Sequence, residues 1–453
     1  MKALITSERY RIVKELIRWS LLILPVAVAI GSMVALFLWI LDLAIIYRFH
    51  HPWLLFLLPL AGVLIHLIYR SVGRSSEKGN NLIMDEIHEP GGGVPPQMSP
   101  IILLTTVLTH LFGGSAGREG TAVQIGGSIA HLFGKWYRLS IQDMQLLLTS
   151  GVAAGFGAVF GTPLTGALFA LEVLAIGRMQ YKALLPALIG AVAGDYTVAA
   201  WGVHHTAYQI SAFRHEPYFL SAYLPFDGLL MVKVMLASAA FGMSSALFSS
   251  LVHAIKVVSG HFIRAKWLIP FTGGLVIIAL TYLNGKPDYL SLGVAAEYPG
   301  AVTIQSAFHA GGADLFSWFW KMIYTAITLG SGFKGGEVTP LFYIGATLGN
   351  TLSAVLHAPV GLFAALGFIA VFAGATNTPL ACTVMGVELF GGEHVLYYAI
   401  ACFTAYLFSG HSGIYSAQRI AIPKLLNAGI TPDSALGDLG KSRPHWYERF
   451  LKH

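Results

Sequence analysis

Long apolar stretches alternate along this chain with short ones cut by glycine and proline. The long stretches cover residues 19–47, 52–69, 146–176, 182–204, 228–258, 267–284, 313–330 and 394–409. About 20 apolar residues in a helix cross the hydrocarbon core of a bilayer, so these segments predict membrane helices. Between them lie 100–113, 121–134, 339–357, 359–375 and 378–391, each too short to cross unaided. Short interrupted segments in corresponding places of two halves point to broken helices around a central site. The first run, Leu21 to Ile46, is too long for a signal-peptide core and lacks a small-residue cleavage site. It predicts a retained first helix.

Composition sharpens this reading. The 453 residues are 55% hydrophobic and 11% charged, with a mean hydropathy of +0.66. Soluble domains carry roughly 25% charged residues, so the main solvent here is lipid. The 50 glycines and 20 prolines suit helices that pack closely or break inside the membrane. The formal charge of +6 is concentrated at the ends: Lys2, Arg9, Arg11, Lys14 and Arg18 before the first span, Lys424, Lys441, Arg443, Arg449 and Lys452 after the last. Positive flanks favour the cytoplasm, which predicts a multi-pass protein of the inner (plasma) membrane with both termini cytoplasmic. The basic residues form no patch with interleaved aromatics, which argues against nucleic-acid binding. Cys382 and Cys402 both sit in apolar runs and predict no disulfide framework.

An internal repeat organises the chain. The first half contains Gly117-Arg118-Glu119-Gly120-Thr121, then Thr162-Pro163-Leu164, then Glu172. The second contains Gly335-Gly336-Glu337-Val338-Thr339, then Thr378-Pro379-Leu380, then Glu388. Gly-x-Glu-x-Thr occurs in both, and Pro163 precedes Glu172 by nine residues as Pro379 precedes Glu388. The expected organisation is a cytoplasmic segment 1–16, repeat halves 17–205 and 228–420, a connection 206–227, and a cytoplasmic tail 421–453 too short for a second soluble domain such as a CBS domain. The relative orientation of the halves is not encoded in these motifs.

The motifs suggest chemistry. In Gly113-Gly114-Ser115-Ala116-Gly117-Arg118-Glu119-Gly120-Thr121 the glycines free the backbone just before a helical pattern restarts. That is a helix amino end at membrane depth, with unpaired N–H groups and a positive dipole, the kind of place where anions bind. Glu119 either occupies that anion site when ionised and leaves it when protonated, or caps the helix or pairs with Arg118. The second half repeats the arrangement over Gly330 to Pro340, where Pro340 suits a first helical turn and Thr339 offers a hydroxyl. Glu337 is a second titrating group or a cap satisfied by Lys334. No Gly-Lys-Ser/Thr follows these glycines, so a P-loop is excluded. Gly79-Asn80-Asn81-Leu82-Ile83 offers amide donors or merely a turn. Tyr415, in Gly413-Ile414-Tyr415-Ser416, is an ion contact or an interfacial tyrosine.

Together these motifs resemble the CLC family of chloride channels and proton-coupled antiporters, closely over about 70–420. The resemblance implies an all-α polytopic membrane fold built as an inverted repeat of broken and tilted helices, and a homodimer with one pathway per subunit. It implies that Glu119 gates and couples protons. It also implies that the segments 79–83, 117–121 and 335–340, with Tyr415, line the anion path; Asn80, Gly117, Arg118, Gly120, Val338 and Thr339 are the candidates there. Departures from the chloride-handling pattern sharpen it. Asn80 stands where that pattern has a serine, Thr121 where it has proline, Val338 where it has phenylalanine, and Val173 where exchangers carry an inner proton-transfer glutamate. Those departures resemble the fluoride/proton antiporter branch of the family, with Asn at the serine position and Glu-x-Thr in the second motif.

The expectation is therefore an ion transporter, not an enzyme, exchanging fluoride for protons in membrane lipid, with Glu337 as an accessory proton or gating group. No catalytic residue, metal, nucleotide or organic cofactor is implied. A chloride/proton antiporter or chloride channel on the same fold is the nearest alternative. A remote one is an intramembrane serine protease, because Gly410-His411-Ser412-Gly413 matches a Gly-x-Ser-Gly loop and His110 or His131 is available as a base. Glu172 and Glu388 are expected to pack or cap.

Overall fold

The computed structural model describes the backbone of residues 2–210, 227–425 and 429–442, and side chains within these stretches from Glu8 to Leu439. Most of the expected connection 206–227, and the basic residues Arg443, Arg449 and Lys452 of the expected tail, lie outside the described residues.

The first half begins with α1 (Lys2–His50), α2 (Leu58–Ser71) and the short α3 (Asn80–His88). Then follow α4 (Met98–Leu111), α5 (Glu119–Trp136), α6 (Ile141–Phe160), α7 (Pro163–Glu172) and α8 (Leu184–Ala200). The second half begins with α9 (Gly228–Phe262) and α10 (Leu268–Asn284). It continues through α11 (Ser317–Gly330), α12 (Val338–Leu356), α13 (Val360–Thr376), α14 (Pro379–Phe390) and α15 (Val395–Phe408), and α16 (Leu436–Ser442) closes the described chain. Among the described residues, five helices are long and apolar enough to cross a membrane: Glu8–His50, Pro52–Ser71, Ile141–Phe160, Tyr181–Ala200 and Gly228–Phe262. The fold is not purely helical. Three two-residue strands, β1 (Ala175–Ile176), β2 (Arg419–Ile420) and β3 (Ser434–Ala435), form a small sheet. In it β1 pairs parallel to β2, and β2 antiparallel to β3.

The apolar run 146–176, continuous in hydropathy, is two helices. Gly161 ends α6 in the left-handed region at φ +70°, and Pro163 opens α7. A left-handed C-cap followed by proline at the first helical position forces a stop and a restart, which hydropathy alone does not register. The second half makes the same break, with Asn377 left-handed at φ +59° and Pro379 opening α14.

The two short helices tie the halves together. Glu388, near the end of α14, accepts from the N–H groups of Leu164 (2.9 Å) and Thr165 (2.8 Å) and from the Thr165 hydroxyl (2.6 Å). Glu172, the last residue of α7, accepts from Leu380 N–H (3.0 Å) and Ala381 N–H (2.7 Å). Each glutamate thus caps the amino end of the other half's helix, which satisfies orphan donors. Such reciprocity requires α7 and α14 to run antiparallel, so the repeat is inverted.

Helix α13 is buried from Gly361 to Thr376, as expected of a helix apolar all round. It packs on α12 through glycine, as α5 packs on α6: a Cβ added at Gly151 would meet the Gly126 carbonyl oxygen at 2.6 Å. Small residues let membrane helix backbones approach this closely.

Candidate functional site

The site forms where α5 and α12 meet end to end. Gly113 (φ +87°) turns the chain out of α4, and Gly332 (φ +96°) turns it out of α11. Extended backbone then leads to Gly117 and Gly336, which bridge each other: Gly117 N–H donates to Gly336 O (2.6 Å) and Gly336 N–H to Gly117 O (2.7 Å). Helix α5 starts two residues after Gly117, and α12 two residues after Gly336.

This geometry corrects the repeat alignment by one residue. The Gly-x-Glu-x-Thr match pairs Glu119 with Glu337. The bridge instead pairs Gly117 with Gly336, so Arg118 answers to Glu337 and Glu119 to Val338. Thr121 likewise answers to Pro340. Backbone hydrogen bonding fixes the register; the shared letters were displaced by one position.

Glu119 is 1% exposed. It bonds both the cap residue of its own helix and the first turn of the opposite one. One carboxylate oxygen accepts from Thr339 N–H (3.1 Å) and Arg118 N–H (3.0 Å), and the other from the Thr339 hydroxyl in a short hydrogen bond. The Arg118 side chain stands off at 3.9 Å. A negative group therefore sits on the free N–H end of α12, where helix dipole and orphan donors favour charge. At α5 a carboxylate meets only the N–H of the cap residue Arg118; among the described residues none bonds the N–H groups of Glu119, Gly120 or Thr121. A Cβ at Gly117 would meet the Glu119 carboxylate at 2.7 Å, so a larger residue there would displace that carboxylate.

A third helix end joins them. Gly79 (φ +57°) opens α3, whose first residue is Asn80. A Cβ on Gly120 would come within 3.1 Å of the Asn80 amide nitrogen, so only glycine leaves that approach open. The Asn80 amide oxygen is buried without a partner. Asn81 accepts from Ala417 N–H (2.9 Å) and so fastens the Tyr415 loop to α3. Asn80, Glu337 and Tyr415 line one chamber of about 280 Å³. Lys334 does not satisfy Glu337; its ammonium lies 4.2 Å from the centre of the Tyr69 ring. Across the bridge, Arg118 lines a second chamber of about 280 Å³ with Asp42, Arg48, His204 and Glu297, where Arg48 and Glu297 pair at 2.7 Å. Val338 is buried at the start of α12.

Two further sequence departures resolve into packing. The Thr121 hydroxyl bonds the Thr106 hydroxyl of α4 at 2.7 Å. Val173 is buried, and its carbonyl accepts from Gln418 at 2.9 Å. The protease geometry is not formed: the Ser412 hydroxyl donates to Ser409 O (2.7 Å), His110 bonds Ser291 and Gly117, and His131 accepts from Val94 N–H. Sequence reasoning overlooked Gln124, which shares the Asn80 chamber, is 6% exposed and has an unpartnered amide oxygen. An amide side chain in a largely apolar helix, five residues past Glu119, was the available signal.

The family model of voltage gated chloride channels matches residues 61–410. The chain belongs to that family. Among CLC relatives, a chloride/fluoride channel protein of Pseudomonas syringae pathovar tomato is 45% identical over 419 residues, covering 92% of this chain and 90% of its own. The crystal structure of a CLC-type fluoride/proton antiporter superimposes with a TM-score of 0.82 at 33% identity, covering 89% of this chain and 98% of that one. A slow cyanobacterial chloride/proton antiporter shares the fold, with a TM-score of 0.71 at 19% identity. The chain is thus an integral membrane protein with a CLC anion-transporter fold.

Proposed function

We propose that this CLC protein is a secondary antiporter that exports cytoplasmic fluoride in exchange for inward protons. The observation that carries the reading is the Glu119 carboxylate on the amino end of α12, bonded to the Thr339 N–H and hydroxyl. Ionised, it holds the place an anion takes. Protonated, it loses most of its attraction to the N–H groups, swings away and admits fluoride, so one carboxyl links proton entry to anion exit. Fluoride is small and holds water strongly, because ion–dipole energies grow steeply at short distance. Hard N–H and O–H donors suit it. In this reading Asn80, Thr339 and Tyr415 contact the ion or line its path together with Gly117, Arg118, Gly120 and Val338, and Glu337 is an accessory proton carrier. The Asn80 chamber faces the cytoplasm and the Arg118 chamber the outside, with both termini cytoplasmic in the plasma membrane and two copies forming a dimer. The similarity to a fluoride/proton antiporter supports this choice.

Chloride transport on the same fold is the second reading, favoured by a relative named for both halides. Purified protein in liposomes decides between them: fluoride efflux with proton uptake is expected, and chloride in excess should compete poorly. Glu119→Gln should uncouple fluoride movement from protons. Unchanged coupled exchange in that variant would remove Glu119 from the role.

A further inference from the structure

Helix α11 runs through apolar surroundings yet carries one polar row. Lys321, Thr325 and Thr328 are spaced by four and three residues, which places them on one face. All three are 0% exposed, and the two threonines reach the segment that leads into Glu119. Thr328 Oγ1 accepts from Ser115 N–H (3.1 Å), and the Thr325 hydroxyl bonds the Ser115 hydroxyl (2.9 Å). Lys321 acts at one remove. Its Nζ donates to the carbonyls of Ser291 (2.7 Å) and Tyr289 (3.2 Å), with the Leu290 carbonyl at 3.5 Å. Ser291, held at φ +50°, bonds His110 Nδ1 through its hydroxyl (2.9 Å), and His110 Nε2 meets Gly117 O at 3.4 Å. That carbonyl is the one that closes the bridge to Gly336.

Three carbonyl oxygens surround the Lys321 amine, and the Tyr343 ring lies 5.2 Å away. None of the ion pairs among the described residues includes Lys321. An ionisable side chain at membrane depth is expensive and normally functional.

We propose that Lys321, Thr325 and Thr328 are positioning residues of the ion site, holding the Ser115–Gly117 backbone so that both helix ends face the ion. The inference rests on the transport reading above. Neither the row nor His110 touches the ion; they act through Ser115 and Gly117.

The test is fluoride efflux and proton uptake from liposomes, measured over a range of internal fluoride. Ser291→Gly deletes the hydroxyl and keeps a residue suited to the left-handed backbone. Thr325→Val keeps the shape and deletes the bond to Ser115. Both variants are expected to elute as wild type, to raise the fluoride KM at least about fivefold, and to keep turnover at saturating fluoride within about twofold, the pattern of a displaced binding geometry. Thr325→Val on a Ser115→Ala background should change KM no further, since the partner is already gone. Lys321→Met should raise KM more than either single variant; if it fails to fold, the Ser291 and Thr325 variants still decide. A wild-type KM in well-folded Ser291→Gly and Thr325→Val overturns the assignment. A wild type that moves no fluoride against protons overturns the transport reading instead, so the two failures are separately visible.

Discussion

Two places in this molecule put a carboxylate on the amino end of a helix from the opposite half, and they differ in symmetry. Between α7 and α14 the arrangement is reciprocal: Glu172 caps one helix and Glu388 the other. The first free N–H groups of both helices there have carboxylate acceptors. Between α5 and α12 it is one-sided. Glu119 reaches Thr339, but its symmetry mate is Val338, which has no charge to return. A single carboxylate serves both helix ends, bonding Thr339 of α12 and only the cap residue Arg118 of α5. The same physical device thus makes a joint when it is doubled and, in the proposed reading, a place for an ion when it is single.

The comparison breaks most sharply if the missing carboxylate is restored. Val338→Glu supplies a second carboxylate, facing α5, and fluoride flux should fall to the leak of empty liposomes while the protein still folds; sustained flux would show that the one-sidedness is incidental. Thr339→Val comes next. It deletes the hydroxyl that Glu119 holds and should weaken apparent fluoride affinity by about 1–3 kcal/mol, measured as the KM of efflux. Glu172→Gln and Glu388→Gln should each lower stability by about 1–2 kcal/mol through a weakened cap, read as thermal unfolding in detergent. Their proton-to-fluoride ratio should stay at the wild-type value, and a changed ratio would assign these joints a role in transport. Thr121→Val removes only the hydroxyl bond to Thr106 and should cost less than about 1.5 kcal/mol, with fluoride KM unaltered.

Much of the site was legible because its parts are local. Glycines followed by a restarting helix announce an amino end wherever they occur, and that led to Glu119, Val338 and Thr339. The amide and phenol candidates Asn80 and Tyr415 came from loop chemistry in the same way. The helix break at Gly161-Thr162-Pro163 was hidden inside a continuous apolar run, because hydropathy averages over the two or three residues that stop a helix. Lys321 carried a readable signal, a lone lysine in the apolar run 313–330, yet its partners come from a distant turn at Tyr289 to Ser291.

From the chain alone followed a lipid-embedded helical protein with a repeat, broken segments at matching places, and a carboxyl beside a helix amino end. Those properties depend on composition, on spacing, and on the conformational limits of glycine and proline. The tertiary structure alone decided which helix Glu119 reaches, that Val338 is its counterpart, and that α11 braces the loop from behind. All three depend on hydrogen bonds between residues far apart in sequence, and such pairings are fixed only when the helices pack.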